Sequence, residues 1–469
     1  MTSALWTCDE IAAATDGELL SGDDWQASGV SIDSRTLAKG DLFVALSVER
    51  DGHAFVSNAN KAGAIASIVS SDDVVGAKVL VKDPLQALTK LGIAARKRSN
   101  ATRIAITGSV GKTSVKDVLA KILTADGTTH SSVQSYNNQW GVPLSMARMP
   151  SNSKWGVFEV GTNSPGEIAF LSGVVRPNIG VITRIAEAHL SGFGTIEAIA
   201  REKASIWAAL APDGIAVLPG SGPMVDILSA QVKCFGIKNL WRFGTSANCD
   251  VRIVNWETAI TGSSGTFDIR GQRVEISAPV SGMHWSEVFA AVMASAVAAG
   301  LDPQQVAQDL RQVRAPDGRG TLSELPLAGG GVAILVDDSY NANPASMKAA
   351  LDTLSRFNAP RKLAVLGQML ELGPTEARLH SELSWPIEQA GICKVWCVGE
   401  LMGHLAGKLP LHRQAIVPDD IDNLANSIYA ELQDGDILLV KGSNGSGVHR
   451  VAKGLLQIAM ERSKEKGRN

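Results

Sequence analysis

The stretch TGSVGKTS, residues 107–114, decides the fold that this sequence predicts. It follows the apolar run RIAIT (103–107), and the apolar residues after it recur with helical spacing as far as Ile122. A glycine-rich turn between a strand and a helix is typical of a phosphate loop, in which backbone N–H groups and a helix N-terminus bind phosphate oxygens. A full Walker A motif needs a glycine where Ile106 stands, so this loop is a shortened variant.

The residues of this loop predict a site for ATP and Mg²⁺. Lys112 offers a cation for the β- and γ-phosphates, and Thr113 offers a hydroxyl for the metal ion. A dinucleotide site is a poor fit, because no G-x-G-x-x-G fingerprint is present. The nucleotide-binding residues expected from the loop are Gly108, Ser109, Val110, Gly111, Lys112, Thr113 and Ser114.

Three polar residues follow the loop and are candidates for metal binding or catalysis. Glu159 ends the run WGVFE, and a carboxylate at the carboxyl end of a parallel strand points toward the phosphate crevice. His189 lies in EAHLSGFGT, and Lys203 lies on the helix that follows. Taken singly, each also has a plain structural interpretation: a solvated strand end, a loop histidine and an exposed helical lysine.

Length and composition exclude several classes of protein. The chain has 469 residues, a length typical of about three domains, and its formal net charge of −3 gives no general attraction to nucleic acid or to anionic membranes. The 46 glycines, against 23 aromatic residues (10 Trp, 10 Phe, 3 Tyr), suit α/β layers with tight turns. No signal peptide is expected, and the longest weakly polar run, 288–301, is shorter than the ~20 residues of a membrane span.

The five cysteines are sparse, so we expect a reducing, cytoplasmic setting, with Cys393 and Cys397 as small core residues rather than a redox or metal pair.

The periodicity predicts an α/β protein of three domains. Residues 1–100 form a small α/β domain, 101–315 a central P-loop ATPase domain with a mostly parallel sheet, and 316–469 a Rossmann-like doubly wound domain. We expect antiparallel strands within 233–281 at the edge of the central sheet. The basic cluster at 96–98 is interpreted as a solvated helix end rather than a phosphate or nucleic-acid patch.

Taken together, these segments resemble the Mur ligases of peptidoglycan synthesis over nearly the whole chain. Within that family the resemblance is greatest to the branch that joins D-alanyl-D-alanine to UDP-N-acetylmuramoyl-tripeptide. The motifs that carry it are SIDSRTLAKGDLFVAL (31–46), DGHAF (51–55), TGSVGKTS (107–114), YNNQWGVP (136–143), EVGTNSPGEI (159–168), EAHLSGFGT (187–195), EKASI (202–206), GRG (318–320), DDSYNANP (337–344), LGQMLELG (366–373) and VKGS (440–443).

The resemblance implies a role for single residues. Glu159 and His189 look like ligands of a second Mg²⁺, and Lys203 stands where the family has a carbamylated lysine, whose negative charge bridges to a metal. Asn138 looks like a contact near the transferred phosphoryl group. The remaining implied contacts are Arg319 and Asp338 to the nucleotide, Ser34 and Arg35 to the UDP group, and Tyr340, Asn341 and Asn343 to D-alanyl-D-alanine.

The implied reaction is ATP-driven amide formation through an acyl phosphate, with two Mg²⁺ ions. The implied partners are UDP-N-acetylmuramoyl-tripeptide and D-alanyl-D-alanine. We expect a cytoplasmic monomer that binds no nucleic acid and inserts into no membrane.

The chain departs from the family pattern at several positions. The family usually carries His-Asn-x-x-Asn against adenine, whereas GMHWSEV (282–288) has Trp285 and Val288 at the two Asn positions. A tryptophan can stack on a purine ring in place of a hydrogen bond. Gln368 stands where Asp usually precedes MLELG, and Asn444 where Arg often follows KGS.

Two other functions stay open at this stage. One is a sibling amide ligase, of Mur or folylpolyglutamate type, with another acceptor. The other is a nucleotide-binding regulator that has lost ligation.

Overall fold

The computed structural model describes residues 4–20, 24–47, 50–133, 136–186, 190–418 and 420–466. Its strands form three large α/β sheets and a two-stranded ribbon. Within these residues no helix has both the length and the apolar character that a bilayer span requires. The predicted α/β class is confirmed, whereas the exact domain boundaries stay a prediction.

The first sheet belongs to the N-terminal part of the chain. Its strands run in the order β2-β7-β6-β5-β4, with β4 to β7 parallel and β2 antiparallel at one edge, and β1 pairs separately with β3. The elements are β1 Trp6–Thr7, α1 Cys8–Thr15, β2 Glu18–Leu19, β3 Gln26–Ala27, β4 Gly29–Ser31, β5 Asp41–Val44, α2 Val56–Ala62, β6 Ala66–Val69, β7 Lys78–Leu80 and α3 Pro84–Lys97.

The central sheet has seven parallel strands, in the order β9-β10-β8-β11-β12-β13-β14, followed by an antiparallel edge of β16, β15 and β17. Its strands are β8 Thr102–Thr107, β9 Thr129–Ser131, β10 Trp155–Glu159, β11 Ile179–Ile182, β12 Ile215–Pro219, β13 Asn239–Gly244, β14 Val251–Ile253, β15 Glu257–Ala259, β16 Gly262–Ile269 and β17 Gln272–Ala278. Its helices are α4 Lys112–Asp126, α5 Gly141–Ala147, α6 Glu167–Val175, α7 Leu190–Phe193, α8 Ile196–Ala204, α9 Val225–Cys234, α10 His284–Ala298 and α11 Pro303–Leu310.

The antiparallel prediction for 233–281 is therefore right for β15 to β17 and wrong for β13, which continues the parallel sheet beside β12. It is right for only one side of β14, which pairs antiparallel with β16 but parallel with β13. The alternation of polar and apolar residues reports a half-buried strand, but it carries no information about the direction of its neighbour.

The third sheet has the order β18-β19-β22-β20-β21, and all its pairs are parallel except β18 with β19. The doubly wound prediction is confirmed, because apolar clusters cover both faces. The elements are β18 Thr321–Pro326, β19 Val332–Asp338, α12 Pro344–Ser355, β20 Lys362–Gly367, α13 Glu376–Ser381, α14 Ser384–Gln389, β21 Ile392–Val398, α15 Gly403–Ala406, α16 Ile421–Glu431, β22 Ile437–Lys441 and α17 Val448–Lys466.

Both cysteines of this domain lie on β21, where Cys393 is exposed and Cys397 is half-buried. The expectation of two core cysteines is thus wrong for Cys393.

Arg96 and Trp6 join the N-terminal part to the central domain. Arg96 donates to the carbonyls of Gly173 and Val174 at the end of α6, both at 2.7 Å. Arg98 lies 3.4 Å from the centre of the Trp6 ring, and the Trp6 indole donates to the carbonyl of Ala147 in α5. The interpretation of 96–98 as a solvated helix end is therefore wrong for Arg96, which satisfies carbonyls across the junction, and for Arg98, which covers the Trp6 ring of its own domain.

An ion pair between the buried Asp436 and the partly exposed Arg361 stabilises the end of the third sheet at which β22 begins. Asp436 is fully buried, accepts from Arg361 and also accepts from the backbone N–H of Gln433 at 2.7 Å. Replacing one member of such a pair leaves the other charge without its partner.

We expect Asp436→Ala to lower the local free energy of unfolding at Ile437–Lys441 by about 3 kcal/mol, measured by amide hydrogen exchange. Glu382→Ala is the matched control, because it removes the exposed Arg378–Glu382 pair and should cost less than about 1 kcal/mol. Equal effects of the two substitutions would contradict the structural role of Asp436.

Candidate active site between the central and third domains

The phosphate loop connects β8 to α4 and lies between the carboxyl ends of β10 and β11. Gly111 is the N-cap of α4 and no side chain caps the helix, so the N–H groups of its first turn are available to an anion. The N–H groups of Ser109 and Val110 instead donate to the carbonyl of Arg184, at 2.7 and 3.4 Å. These two N–H groups thus have a partner within the protein, and the nucleotide-binding roles of Gly108 to Ser114 stay predictions.

Gly108 allows this loop to lie close to the neighbouring strand end. Its φ is +150°, and a Cβ there would lie 1.9 Å from Oγ1 of Thr183. That hydroxyl donates to the carbonyl of Val110 at 2.7 Å, so it fixes the middle of the loop. Only glycine leaves room for this hydrogen bond.

Thr113 and Glu159 meet in the crevice, as the positions of their motifs predict. Glu159 is 1% exposed, and its Oε2 accepts from the Thr113 hydroxyl at 2.7 Å. Its other oxygen accepts from Nδ2 of Asn137 at 2.8 Å. Sequence reasoning missed Asn137, although it adjoins Asn138 in the quoted motif YNNQWGVP, because nothing in the sequence says which of two adjacent amides turns inward.

Asn138 has a structural contact in this structure, since its Oδ1 accepts from the N–H of Gly141 at the start of α5. Its Nδ2 forms no hydrogen bond with another described residue.

Two lysines lie close to the Glu159 carboxylate. Lys112 donates to the carbonyl of Gly108 at 2.8 Å, and burial lowers the pKa of its ammonium, with Glu159 opposing the shift and Arg319 adding to it. Lys203 is 1% exposed on α8, and burial holds the pKa of its ammonium well below the ordinary value, to which the charge of Lys112 adds. An exposed helical lysine is therefore the wrong interpretation of Lys203.

Glu202, the neighbour of Lys203, helps to place α8. Its carboxylate accepts from the N–H groups of Gly166 and Ile168 at the start of α6, at 2.8 and 2.9 Å.

The third predicted metal ligand, His189, lies outside the described residues, so its prediction is not tested. Among the residues that are described, no three histidine, cysteine or acidic side chains gather as a metal site would require.

The loop between the central and third domains carries Arg319 toward the phosphate loop. Its guanidinium lies 4.2 Å from the centre of the Tyr340 ring, and the N–H of Tyr340 donates to the carbonyl of Gly318. Because the charge of Arg319 lowers the pKa of Lys112, the two cations from different domains lie near each other.

A small cleft of about 20 Å³ lies beside this loop, between Ser281 and His284 of the central domain and Asp338 and Thr353 of the third. Asp338 forms an ion pair with Lys441 at 2.8 Å, and the ammonium of Lys441 also donates to the carbonyl of Asn341. Lys441 is 2% exposed and was not singled out from the sequence, although it lies in the quoted VKGS motif.

The expectation that Trp285 stacks on a purine is wrong. Trp285 is fully buried and packs against the Phe289 ring, with 5.4 Å between ring centres, and Val288 is 6% exposed. The two departures from the family pattern thus fill the core beneath α10 instead of facing the cleft. Gln368 likewise has a structural role, because its Oε1 accepts a hydrogen bond from the N–H of Leu401.

The residues expected to bind D-alanyl-D-alanine follow the carboxyl end of β19. Asn341 is exposed, while Oδ1 of Asn343 accepts from the N–H of Ser346 and so caps α12. The oxygen of Asn343 is therefore already occupied by the helix.

Ser34 and Arg35 follow β4 at the carboxyl edge of the first sheet. Arg35 pairs with Asp33 at 2.7 Å and stays largely exposed. At the same edge His53 accepts from the N–H of Ser70 at 2.9 Å and contacts Asp51 at 2.6 Å, and this contact lowers the pKa of Asp51 to about 2. Ligands of parallel sheets bind at this edge, so the geometry agrees with the place expected for a nucleotide-sugar.

Comparisons with known proteins agree with these observations. Residues 106–297 match the model of the Mur ligase middle domain, and residues 326–444 match that of the Mur ligase, glutamate ligase domain. The UDP-N-acetylmuramoyl-tripeptide–D-alanyl-D-alanine ligase of Escherichia coli is 33% identical over 454 residues, which are 96% of this chain and 98% of the relative.

Two solved structures are similar over most of their length. MurF from Acinetobacter baumannii has a TM-score of 0.84 at 26% identity, covering 96% of this chain and 99% of that one. MurF ligase from Thermotoga maritima in complex with ADP has a TM-score of 0.78 at 25% identity, covering 92% and 98%.

Gly108→Ala should abolish ATP binding, because the added methyl group displaces Thr183 and its hydrogen bond to the loop. We expect the dissociation constant for ATP to rise at least about 100-fold, measured by calorimetry, since a misplaced loop loses several phosphate contacts. Gly173→Ala is the control, because nothing lies within 4 Å of its added Cβ. Unchanged ATP affinity in Gly108→Ala would contradict the loop geometry.

Proposed function

The chain belongs to the Mur ligase family, and we propose that it is an ATP-dependent ligase that adds D-alanyl-D-alanine to UDP-N-acetylmuramoyl-tripeptide in the synthesis of peptidoglycan precursors. The observation that carries the reaction class is the phosphate loop with its uncapped helix N-terminus, where Thr113 contacts the buried carboxylate of Glu159 and the buried Lys112 and Lys203 lie nearby. The identity of the substrates rests on the relatives, which carry that activity in their names and match nearly the whole chain.

The reaction brings anions together, and this chain supplies the opposing charge. An oxygen of the tripeptide's terminal carboxylate attacks the γ-phosphorus of ATP, and the bond to the β-phosphate oxygen breaks, which gives an acyl phosphate and ADP. Lys112 and Arg319 place positive charge beside the phosphates while the N–H groups of α4 hold them. Asn138 is proposed to contact the group in transfer.

The second step forms the amide bond. The free amine of D-alanyl-D-alanine attacks the acyl carbon, phosphate leaves, and the amine loses a proton. Tyr340, Asn341 and Asn343 are proposed to position this dipeptide, and Asp338 and Arg319 to hold the nucleotide. Ser34 and Arg35 are proposed to hold the UDP group at the edge of the first sheet, so that domain closure aligns the three substrates.

The metal sites are proposed from the chemistry of the side chains. Thr113 and Glu159 provide a hydroxyl and a buried carboxylate in contact, which suit Mg²⁺ bound to a nucleotide, and His189 is proposed to join Glu159 at a second ion. Mg²⁺ there would neutralise charge on the phosphates.

Carbamylation of Lys203 fits its surroundings. An amine attacks CO₂ only when it is neutral, and burial beside Lys112 favours that form. The nitrogen would bond to the carbon of CO₂ and release one proton, which leaves a carbamate that carries a negative charge.

A regulator without ligation loses its support in this structure. It rested on Trp285, Val288 and Gln368, and these side chains pack or hydrogen-bond within the protein without removing a phosphate-binding residue.

A panel of acceptors tests the function. The protein is supplied with ATP and UDP-N-acetylmuramoyl-tripeptide, with either diaminopimelate or lysine as third residue, and with D-alanyl-D-alanine, single amino acids or a folate with glutamate. We expect ADP release only with D-alanyl-D-alanine. Lys112→Ala is the negative control and should lose at least about 10³-fold in turnover. Preferential turnover of another acceptor would refute the proposal.

Lys203→Ala should be nearly inactive and should regain part of its turnover when short-chain carboxylic acids are added, because an acid can supply the lost negative charge. The control is Lys121→Ala, an exposed lysine of the same domain that donates to the carbonyl of Gln312. Full activity of Lys203→Ala without added acid would remove the carbamate from the mechanism.

A further inference from the structure

His380 forms two backbone hydrogen bonds that join the ends of one loop. It is fully buried on α13, its Nε2 accepts from the N–H of Met369 at 2.9 Å, and its Nδ1 donates to the carbonyl of Glu376 at 2.7 Å. Because an N–H can only donate and a carbonyl can only accept, these contacts fix the neutral tautomer with its proton on Nδ1. The bridged segment, 369–376, is called the bridged loop below.

The bridged loop is attached to the part of the third domain where D-alanyl-D-alanine is expected to bind. The N–H of Leu370 donates to Oγ of Ser443 at 3.1 Å, and Ser443 Oγ lies 3.2 Å from the carbonyl of Ala342. Ala342 stands between Asn341 and Asn343. The position of the bridged loop therefore affects the backbone of the proposed D-alanyl-D-alanine site.

The other side of the bridged loop meets the central domain. Its residues Gly373–Thr375 pack against α7, the segment Leu190–Phe193. Glu371 has a φ of +64°, a conformation that a residue with a side chain adopts only where the surroundings enforce it. A loop with such a residue needs firm support at its ends, and His380 gives that support.

We propose that His380 is a positioning residue for ligation. It holds the bridged loop so that the edge of the third domain where D-alanyl-D-alanine is proposed to bind meets α7 of the central domain. This inference rests on the proposed function. His380 touches no substrate, and it acts through Met369 and the loop that follows. An apolar residue of similar size would fill the same space but would leave the buried N–H of Met369 without an acceptor.

Two polar substitutions separate the two hydrogen bonds. In His380→Gln the amide oxygen lies where Nε2 was, so it can accept from Met369. In His380→Asn the amide lies where Nδ1 was, so it can bond only to Glu376. We expect His380→Asn to lower kcat/KM for D-alanyl-D-alanine at least about 10-fold, and His380→Gln to stay within about 3-fold of the wild type. The KM for ATP should stay within about 2-fold in both, since the phosphate loop lies in the other domain.

Amide hydrogen exchange gives an independent measurement. Exchange of the Met369 amide should accelerate at least about 10-fold in His380→Asn and stay near the wild-type rate in His380→Gln. Leu424→Ala controls for loss of stability, because Leu424 is buried on the opposite face of the same sheet. At an equal loss of melting temperature it should leave the Met369 exchange and kcat/KM for the dipeptide unchanged.

Equal kinetics in the Asn and Gln variants, or a loss that follows melting temperature in all three variants, would overturn the positioning role. Absence of D-alanyl-D-alanine-dependent turnover in the wild type would instead refute the proposed function. In that case the Met369 exchange still decides whether His380 holds the loop.

Discussion

Positive charge is gathered around one buried carboxylate, and the rest of the site is arranged about this imbalance. Lys112, Lys203 and Arg319 come from three separate segments. The pKa of both lysines is lowered, chiefly by burial and in addition by the charge of Arg319 on Lys112 and of Lys112 on Lys203. Glu159 opposes the charge of both lysines and is itself held by Thr113 and Asn137, and the buried Glu202 opposes the charge of Lys203 as well. Such a site favours the approach of anions, and its substrates are a nucleotide and a carboxylate.

The three domains are joined by different kinds of contact. The N-terminal part is attached by Arg96, which satisfies carbonyls at the end of α6, by the Trp6 indole, which donates to Ala147 in α5, and by an apolar cluster shared with α5. The third domain meets the central domain where Gly373–Thr375 of the bridged loop packs against α7, and where Ile260 packs against an apolar cluster of the third domain.

The sequence was most informative where local chemistry and local structure coincide. A strand, a glycine turn and an amphipathic helix placed the phosphate loop, and the end of an apolar run placed Glu159. The sequence was not sufficient where the position of a side chain depends on packing against distant residues. The inward turn of Asn137, the burial of Trp285 and the two contacts of His380 each depend on a partner far along the chain or on the opposite side of a loop. The direction of β13 depends on its neighbour as well, because polar alternation is the same in parallel and antiparallel edges.

The hydrogen bond from Thr183 to the phosphate loop has a consequence for inhibitor design. A loop fixed from beneath by a neighbouring strand end presents one shape, because the methyl-sized space below Gly108 is already filled. Compounds that target this loop must therefore match a rigid surface, and flexibility in the compound would only add entropy to be lost on binding. Selectivity among nucleotide-binding proteins would then come from the shape of this shortened turn, because all of these proteins bind the same phosphate groups.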